Sequence, residues 1–179
     1  MQLYTLGFIK QGSRVLMLNR EKAPWMGCWN GVGGKVEQDE KPWEAMLREI
    51  KEETDIDSKH VSVDYKGLLT WSNEQSNQIS GALYLYLLEL SEDYRYDHTP
   101  VRTDEGILDW KAISWIMHSK NIGVASNISR CLDKVLYDQR CYHHHSTFSE
   151  DLLVDHMSKL MHNQTLEELD VIKVIHQGK

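Results

Sequence analysis

Cysteine, basic charge and long apolar runs are all scarce in this chain. Its three cysteines, Cys28, Cys131 and Cys141, are far apart, odd in number and form no CxxC pair. They read as reduced thiols of a cytoplasmic protein, and a disulfide framework is excluded. Lys and Arg number 20 against 27 Asp and Glu, a formal net charge of −7. Binding along a nucleic-acid backbone needs Lys and Arg to displace counterions, so no nucleic-acid partner is expected. No stretch approaches eighteen apolar residues, so no membrane span is expected. Residues 1–14 lack the basic start and long apolar run of a signal peptide. Carboxylate is in surplus. A bound divalent metal inverts the local charge, so the acidic balance is compatible with a nucleotide substrate.

The apolar pattern that is present divides into short elements. Residues 3–9 and 14–18 read as two strands around a Gly12-Ser13 turn. A loop rich in Trp, Gly and Pro covers residues 21–31, and a glycine-rich segment follows from Gly31 to Val36. Residues 61–71 and 82–90 are strand-like around a polar loop at 72–80, and 108–113 is a further short strand. Ile128, Cys131, Leu132, Val135 and Leu136 repeat at the spacing of one buried helical face. Residues 141–148 and 152–156 form a candidate hairpin across Ser149-Glu150-Asp151, and residues 165–175 place Leu166, Leu169 and Ile172 on a possible helical face. Strands and helices mixed in this way predict one α/β domain with a small C-terminal extension.

Residues 42–54 carry the chemistry. Pro42 fits a first helical position, where its missing N–H costs nothing. At about 100° per residue, Trp43, Met46, Leu47 and Ile50 share one face, and Ala45, Arg48, Glu49, Glu52 and Glu53 share the opposite one. Three carboxylates within about one turn repel one another, which a cation relieves. Mg²⁺ prefers oxygen ligands and is commonly held by carboxylates together with substrate phosphates. The bland alternative is an acidic, solvated helix face.

From Gly34 the chain runs through five residues to Glu40, then seven more to Arg48-Glu49-Ile50-Lys51-Glu52-Glu53-Thr54-Asp55-Ile56. This resembles the Nudix box, G-x5-E-x7-R-E-U-x-E-E-x-G-U, with U a large aliphatic residue. Every charged and aliphatic position matches. Only the last glycine is replaced, by Asp55, and Asp is among the few residues that tolerate the left-handed conformation that ends a helix. The resemblance implies a Nudix fold, a mixed β-sheet sandwiched between helices. It also implies Mg²⁺, or Mn²⁺, held by Glu49, Glu52 and Glu53 with the Gly34 carbonyl. On the same resemblance Glu49 and Glu53 would act catalytically, Glu49 helping to activate water; Arg48 would orient the carboxylates by a salt bridge, Glu40 would support the loop, and Lys35 would contact phosphate.

A narrower resemblance lies in Leu3-Tyr4-Thr5-Leu6 and in Trp29-Asn30-Gly31-Val32-Gly33-Gly34-Lys35-Val36. These segments look like those of MutT-type 8-oxo-dGTP diphosphatases. It implies that Asn30 reads a purine edge, with Thr5 and Gly33 in the same substrate site. Asn-Gly is also a common turn dipeptide, so Asn30 as a turn former stays open. In Thr103-Asp104-Glu105-Gly106 the resemblance makes Glu105 a late metal ligand; an exposed loop carboxylate is the alternative. Trp25 and Trp71 either stack on a nucleobase or pack in the protein. His143, His144 and His145 are adjacent, and strand neighbours point to opposite faces, so zinc is not expected there. The expected organisation is a Nudix domain over residues 1–138 and an extension over 139–179 packed on it. The expected activity is hydrolysis of a small nucleotide, preferably 8-oxo-dGTP, to monophosphate and pyrophosphate, as a nucleotide-pool sanitiser in DNA repair. ADP-ribose or a related derivative is the alternative substrate, and a non-catalytic nucleotide-binding module is the alternative class.

Overall fold

Local alternation and turn chemistry set the first elements. Strands β1 (Leu3–Gln11) and β2 (Arg14–Arg20) form an antiparallel hairpin across Gly12-Ser13. The structure, a computed structural model, describes residues 2–76 and 78–161. The helical face expected over residues 165–175 lies outside the described residues. Strand β3 (Trp29–Asn30) follows, then helix α1 (Pro42–Thr54), β4 (Val61–Asn73), β5 (Ile79–Leu90), β6 (Val101–Arg102) and β7 (Gly106–Ala112). Short helices α2 (Ile113–Ile116), α3 (Ser126–Ser129) and α4 (Leu132–Tyr137) precede β8 (Tyr142–Ser149) and β9 (Leu152–Leu160).

The strands make one sheet in the order β6-β7-β2-β1-β5-β4-β8-β9, with β3 paired to β2. It is mixed: β1 runs parallel to β5 and β4 parallel to β8, and the other neighbours are antiparallel. Alternate residues of each strand feed two cores. Ile9, Leu16, Leu18, Tyr86 and Leu88 pack under Met46 and Ile50 of α1. Leu6, Phe8, Met17, Leu69 and Leu85 pack under α2, α3 and α4 through Ile116, Ile128, Leu132 and Val135. The sheet therefore lies between helices. No helix among the described residues is long and apolar enough to cross a membrane.

Two local expectations change. The run from Ile128 to Leu136 is buried as its spacing demands, but it is two short helices broken at Arg130 and Cys131. Tertiary burial, not helix continuity, satisfies the periodicity. In α1 the buried stripe is rotated: Ala45 is fully buried with Met46 and Ile50, while Trp43 is 38% exposed. Glu49 and Glu53 therefore sit at the sheet-facing margin of the helix, and only Glu52 of the three carboxylates is fully outward. The glycine-rich segment covers that margin, a contact that helical periodicity alone does not contain.

Beyond α4, β8 pairs along β4 from Gly67 to Asn73, and β9 folds back on β8. The chain after residue 138 thus widens the same sheet.

Candidate active site

The site is built where α1 meets the segment that precedes it. Pro42 opens the helix, and the Lys41 N–H donates to Glu44 Oε2 at 3.0 Å, which closes its first turn. Asp55 ends it in the left-handed region at φ 59°, and its N–H donates to the Lys51 carbonyl. A residue with a short polar side chain accepts this conformation at modest cost.

The glycine-rich segment is held by β1. Thr5 N–H donates to Gly34 O at 2.8 Å and Val36 N–H to Leu3 O at 3.0 Å. This lays Gly34 directly on Glu49: a β-carbon at Gly34 would lie 2.3 Å from Glu49 Oε1. A side chain at position 34 would have to push the Glu49 carboxylate aside. Gly33 N–H donates to Glu53 Oε2 at 3.1 Å.

Arg48 binds the acidic cluster together. It grips Glu40 with two donors at 2.9 Å each, Glu49 at 2.8 Å and Glu52 at 3.2 Å, and it donates to the Lys35 carbonyl at 2.9 Å. Glu40 in turn accepts from Glu37 N–H at 3.0 Å. One planar guanidinium with five donors suits this many-sided contact. It holds the Glu40 carboxyl below its usual pKa, and the pairing raises that of Arg48 itself. Glu49 is pushed up by burial, against the pull of Arg48. Glu53 has no comparable cation. Burial first, then the charge of Glu49, pushes its carboxyl up to about 8. Glu105 adds to that repulsion and Arg20 opposes it.

A family model described as the NUDIX domain matches residues 4–126, more than half the chain. The chain belongs to the Nudix family. Its fold agrees with that of the MutT protein from Bacillus halodurans, with a TM-score of 0.69 at 20% identity over 89% of this chain and 98% of that one. Two curated relatives match shorter stretches. ADP-ribose pyrophosphatase of Methanocaldococcus jannaschii is 42% identical over 57 residues, covering 32% of this chain and 34% of its own length. Oxidized purine nucleoside triphosphate hydrolase of Mus musculus is 33% identical over 72 residues, covering 37% of this chain and 46% of its own length. The matches thus span between a third and a half of those two relatives.

The Nudix fold gathers most of the residues singled out in the sequence. Glu105 pairs with Lys22 at 3.0 Å and lies within electrostatic reach of Glu53. Lys35 is exposed, and its carbonyl accepts from Arg48. Thr5 is buried beside the Gly34 contact, and its hydroxyl has no hydrogen-bond partner. Asn30 is buried too, and its side-chain oxygen accepts from Gly31 N–H at 2.8 Å, so the carboxamide does shape the turn. Gly34 O is engaged by Thr5 N–H, although a carbonyl has a second lone pair. Sequence reasoning missed Arg20. Its register opposite Gly106 brings it near Glu53, and a strand-end arginine carries no local signal of that.

As placed, Glu49 and Glu52 turn toward Arg48 and Glu53 toward Gly33. Among the described residues no three acidic, His or Cys side chains converge on one point. The donor chemistry still fits a hard divalent ion. Glu53 is a largely desolvated carboxylate repelled by a second one, and such a charge is what a cation neutralises.

Proposed function

We propose that this chain hydrolyses a phosphoanhydride bond of an oxidised purine nucleoside triphosphate such as 8-oxo-dGTP, releasing the monophosphate and pyrophosphate. One observation carries the reading: Glu49 and Glu53 are held at the buried margin of α1 beneath Gly33 and Gly34, with Arg48 tying Glu49 to Glu40 and Glu52. Glu49, Glu52 and Glu53 would hold Mg²⁺, or Mn²⁺, with the Gly34 carbonyl and Glu105. When bound, that ion supplies charge neutralisation on the phosphates and an acidified water.

The chain's own residues do the rest. Arg48 fixes Glu49 so that its free oxygen can take the proton of the attacking water. Water attacks a phosphorus flanking the α,β-bridging oxygen, the bond from that phosphorus to the bridging oxygen breaks, and the departing pyrophosphate or nucleoside monophosphate carries away the electron pair. Lys35 meets a phosphate oxygen at the exposed rim, and the Gly33 backbone borders the same path. Asn30 and Thr5 meet the base side of the substrate. The chain's match to a relative named for oxidized purine nucleoside triphosphates supports this class.

A second reading has its own support. The relative named ADP-ribose pyrophosphatase shares more identity over its shorter stretch, so ADP-ribose is the alternative substrate. A binding module without catalysis is disfavoured because every box carboxylate is kept.

A nucleotide panel assayed for pyrophosphate and phosphate release, with and without Mg²⁺, tests the proposal. The expected result is metal-dependent turnover highest on 8-oxo-dGTP. Preference for ADP-ribose would transfer the site to the second reading, and absence of turnover on every substrate would reject hydrolysis.

A further inference from the structure

The sheet ends in two unlike edges. At one end β6 has two residues, a length that offers little to another strand. At the other, β9 runs for nine residues, and among the described residues no strand pairs with its outer side. We propose that β9 is a dimerisation edge: two copies of this chain pair their β9 strands antiparallel about a two-fold axis at Met157, which joins their sheets into one.

The backbone is oriented for this. Met161 N–H donates to Cys141 O at 3.0 Å, toward β8. In an antiparallel ladder the N–H and C=O of one residue point to the same side, and the side alternates along the strand. Lys159 and Met157 therefore address β8 as Met161 does, and the N–H and C=O groups of Leu160, Ser158 and His156 point outward. The β8–β9 register shifts between Thr147 and Phe148, opposite Asp155 and Leu153, so residues 155–160 stay in regular register. A regular run of outward donors and acceptors is a template for one more strand.

The side chains select the partner and the register. A two-fold axis at Met157 sets Asp155 opposite Lys159 twice, His156 opposite Ser158 twice and Val154 opposite Leu160 twice, with Met157 opposite its own copy. Each charge meets its opposite, each polar residue a polar one and each apolar residue an apolar one. Asp155 and Lys159 are exposed, and neither enters an ion pair among the described residues. Met157 is 59% exposed and Val154 50%, apolar surface that the pairing covers. Asp155, Met157 and Lys159 share one face and fall at the non-hydrogen-bonded pairs, where opposing side chains stand closest. An axis at His156 would set Asp155 against Met157 and Lys159 against Leu153. One at Ser158 would set Met157 against Lys159 and Asp155 against Met161. Both leave charges facing apolar side chains.

A two-fold contact of this kind closes with two copies and does not propagate. Strands β5, β4 and β8 separate β9 from β1, which holds the glycine-rich segment, so the pairing stays clear of Glu49 and Glu53. The dimer is independent of which substrate the chain takes.

Sedimentation equilibrium of the full chain from about 1 μM to about 1 mM measures the association. The expected result is a monomer–dimer equilibrium. Asp155→Lys sets lysine against Lys159 twice and should weaken it about tenfold, as should Lys159→Asp. The double variant with both substitutions exchanges the charges and should return to the wild-type constant. Met157→Cys should give a disulfide-linked dimer on oxidation, because opposed residues at such a site bring their β-carbons within about 5.5 Å. Val154→Cys, which this register holds far from its own copy, should give none beyond the wild-type background of Cys28, Cys131 and Cys141. A chain that stays monomeric throughout, a dimer indifferent to Asp155→Lys, exchanged charges that fail to restore it, or linkage at residue 154 and not at 157 would overturn the proposal.

Discussion

Glu53 is the residue on which activity and stability should part. Its carboxyl is buried against Glu49, and its folded pKa of about 8 lies well above the unfolded value near 4.3. The folded state therefore binds the extra proton, and this group costs stability as pH rises through that interval. Glu53→Gln should lower kcat by about a hundredfold or more and leave the melting temperature at pH 8 equal or higher. Glu52→Gln should lower kcat similarly without the thermal gain, because Glu52 is outward. Parallel kinetics and melting curves check both, and near wild-type turnover in both would remove the carboxylates from the mechanism. At Asp55 the left-handed conformation favours glycine, and the side chain pairs with Lys51 at the surface. Asp55→Gly should move the melting temperature by less than about 3 °C, and a larger fall would give the carboxylate a further role. Asn30→Ala separates base reading from turn formation. Base reading predicts a tenfold to hundredfold loss of discrimination between 8-oxo-dGTP and dGTP with unchanged Mg²⁺ dependence. The bond from Gly31 N–H predicts that all substrates weaken together with a lower melting temperature.

At the scale of elements, the box made α1 legible to its boundaries, because Pro42 and Asp55 are positional signals and the glutamates are fixed in spacing. The hairpins β1–β2 and β8–β9 were legible from turn residues and alternation. What escaped was rotation and partnership. Helical periodicity put Ala45 with the carboxylates on an outward face, yet the helix turns Ala45 to the sheet and carries Glu49 and Glu53 to the buried margin. Gly34, a residue outside the helix, meets the Glu49 carboxylate at that margin. Strands β3 and β6, of two residues each, have no period to detect. The histidines show the same limit. Adjacency argued against a chelate, and the strand indeed splits them, but the serine and threonine partners come from β4 and β9. Thr70 Oγ1 meets His143 and His145 at 2.8 Å each, and His144 meets Ser158 at 2.8 Å.

Those histidines make acid sensitivity a property of the whole molecule. Burial lowers His143 to about 4 and His144 to about 3, and lowers His145 and His156 as well. The unfolded chain then binds more protons between those values and about 6.5, so stability is fully present above pH 6.5 and is lost on acidification. With the opposing Glu53 proton removed by Glu53→Gln, the melting temperature should fall from pH 6.5 to pH 5, and adding His144→Gln should flatten that slope; a pH-independent melting temperature in the Glu53→Gln protein would show that these rings titrate normally. The hairpin that carries them also covers the edge of β4, so ending the chain after Asp138 should leave an unpaired strand and a protein prone to aggregate, as light scattering would detect. The parallel pairing of β4 with β8 has a further consequence in time. Its partners stand more than seventy residues apart in the chain, so their ladder waits on the closure of a long loop. On the ribosome β4 and β5 emerge early as a hairpin, yet the strand that covers their open flank is among the last of the described residues to be made. For that interval the nascent chain presents a ready strand-pairing surface, and its yield in the cell should depend on how fast translation passes from residue 73 to residue 149.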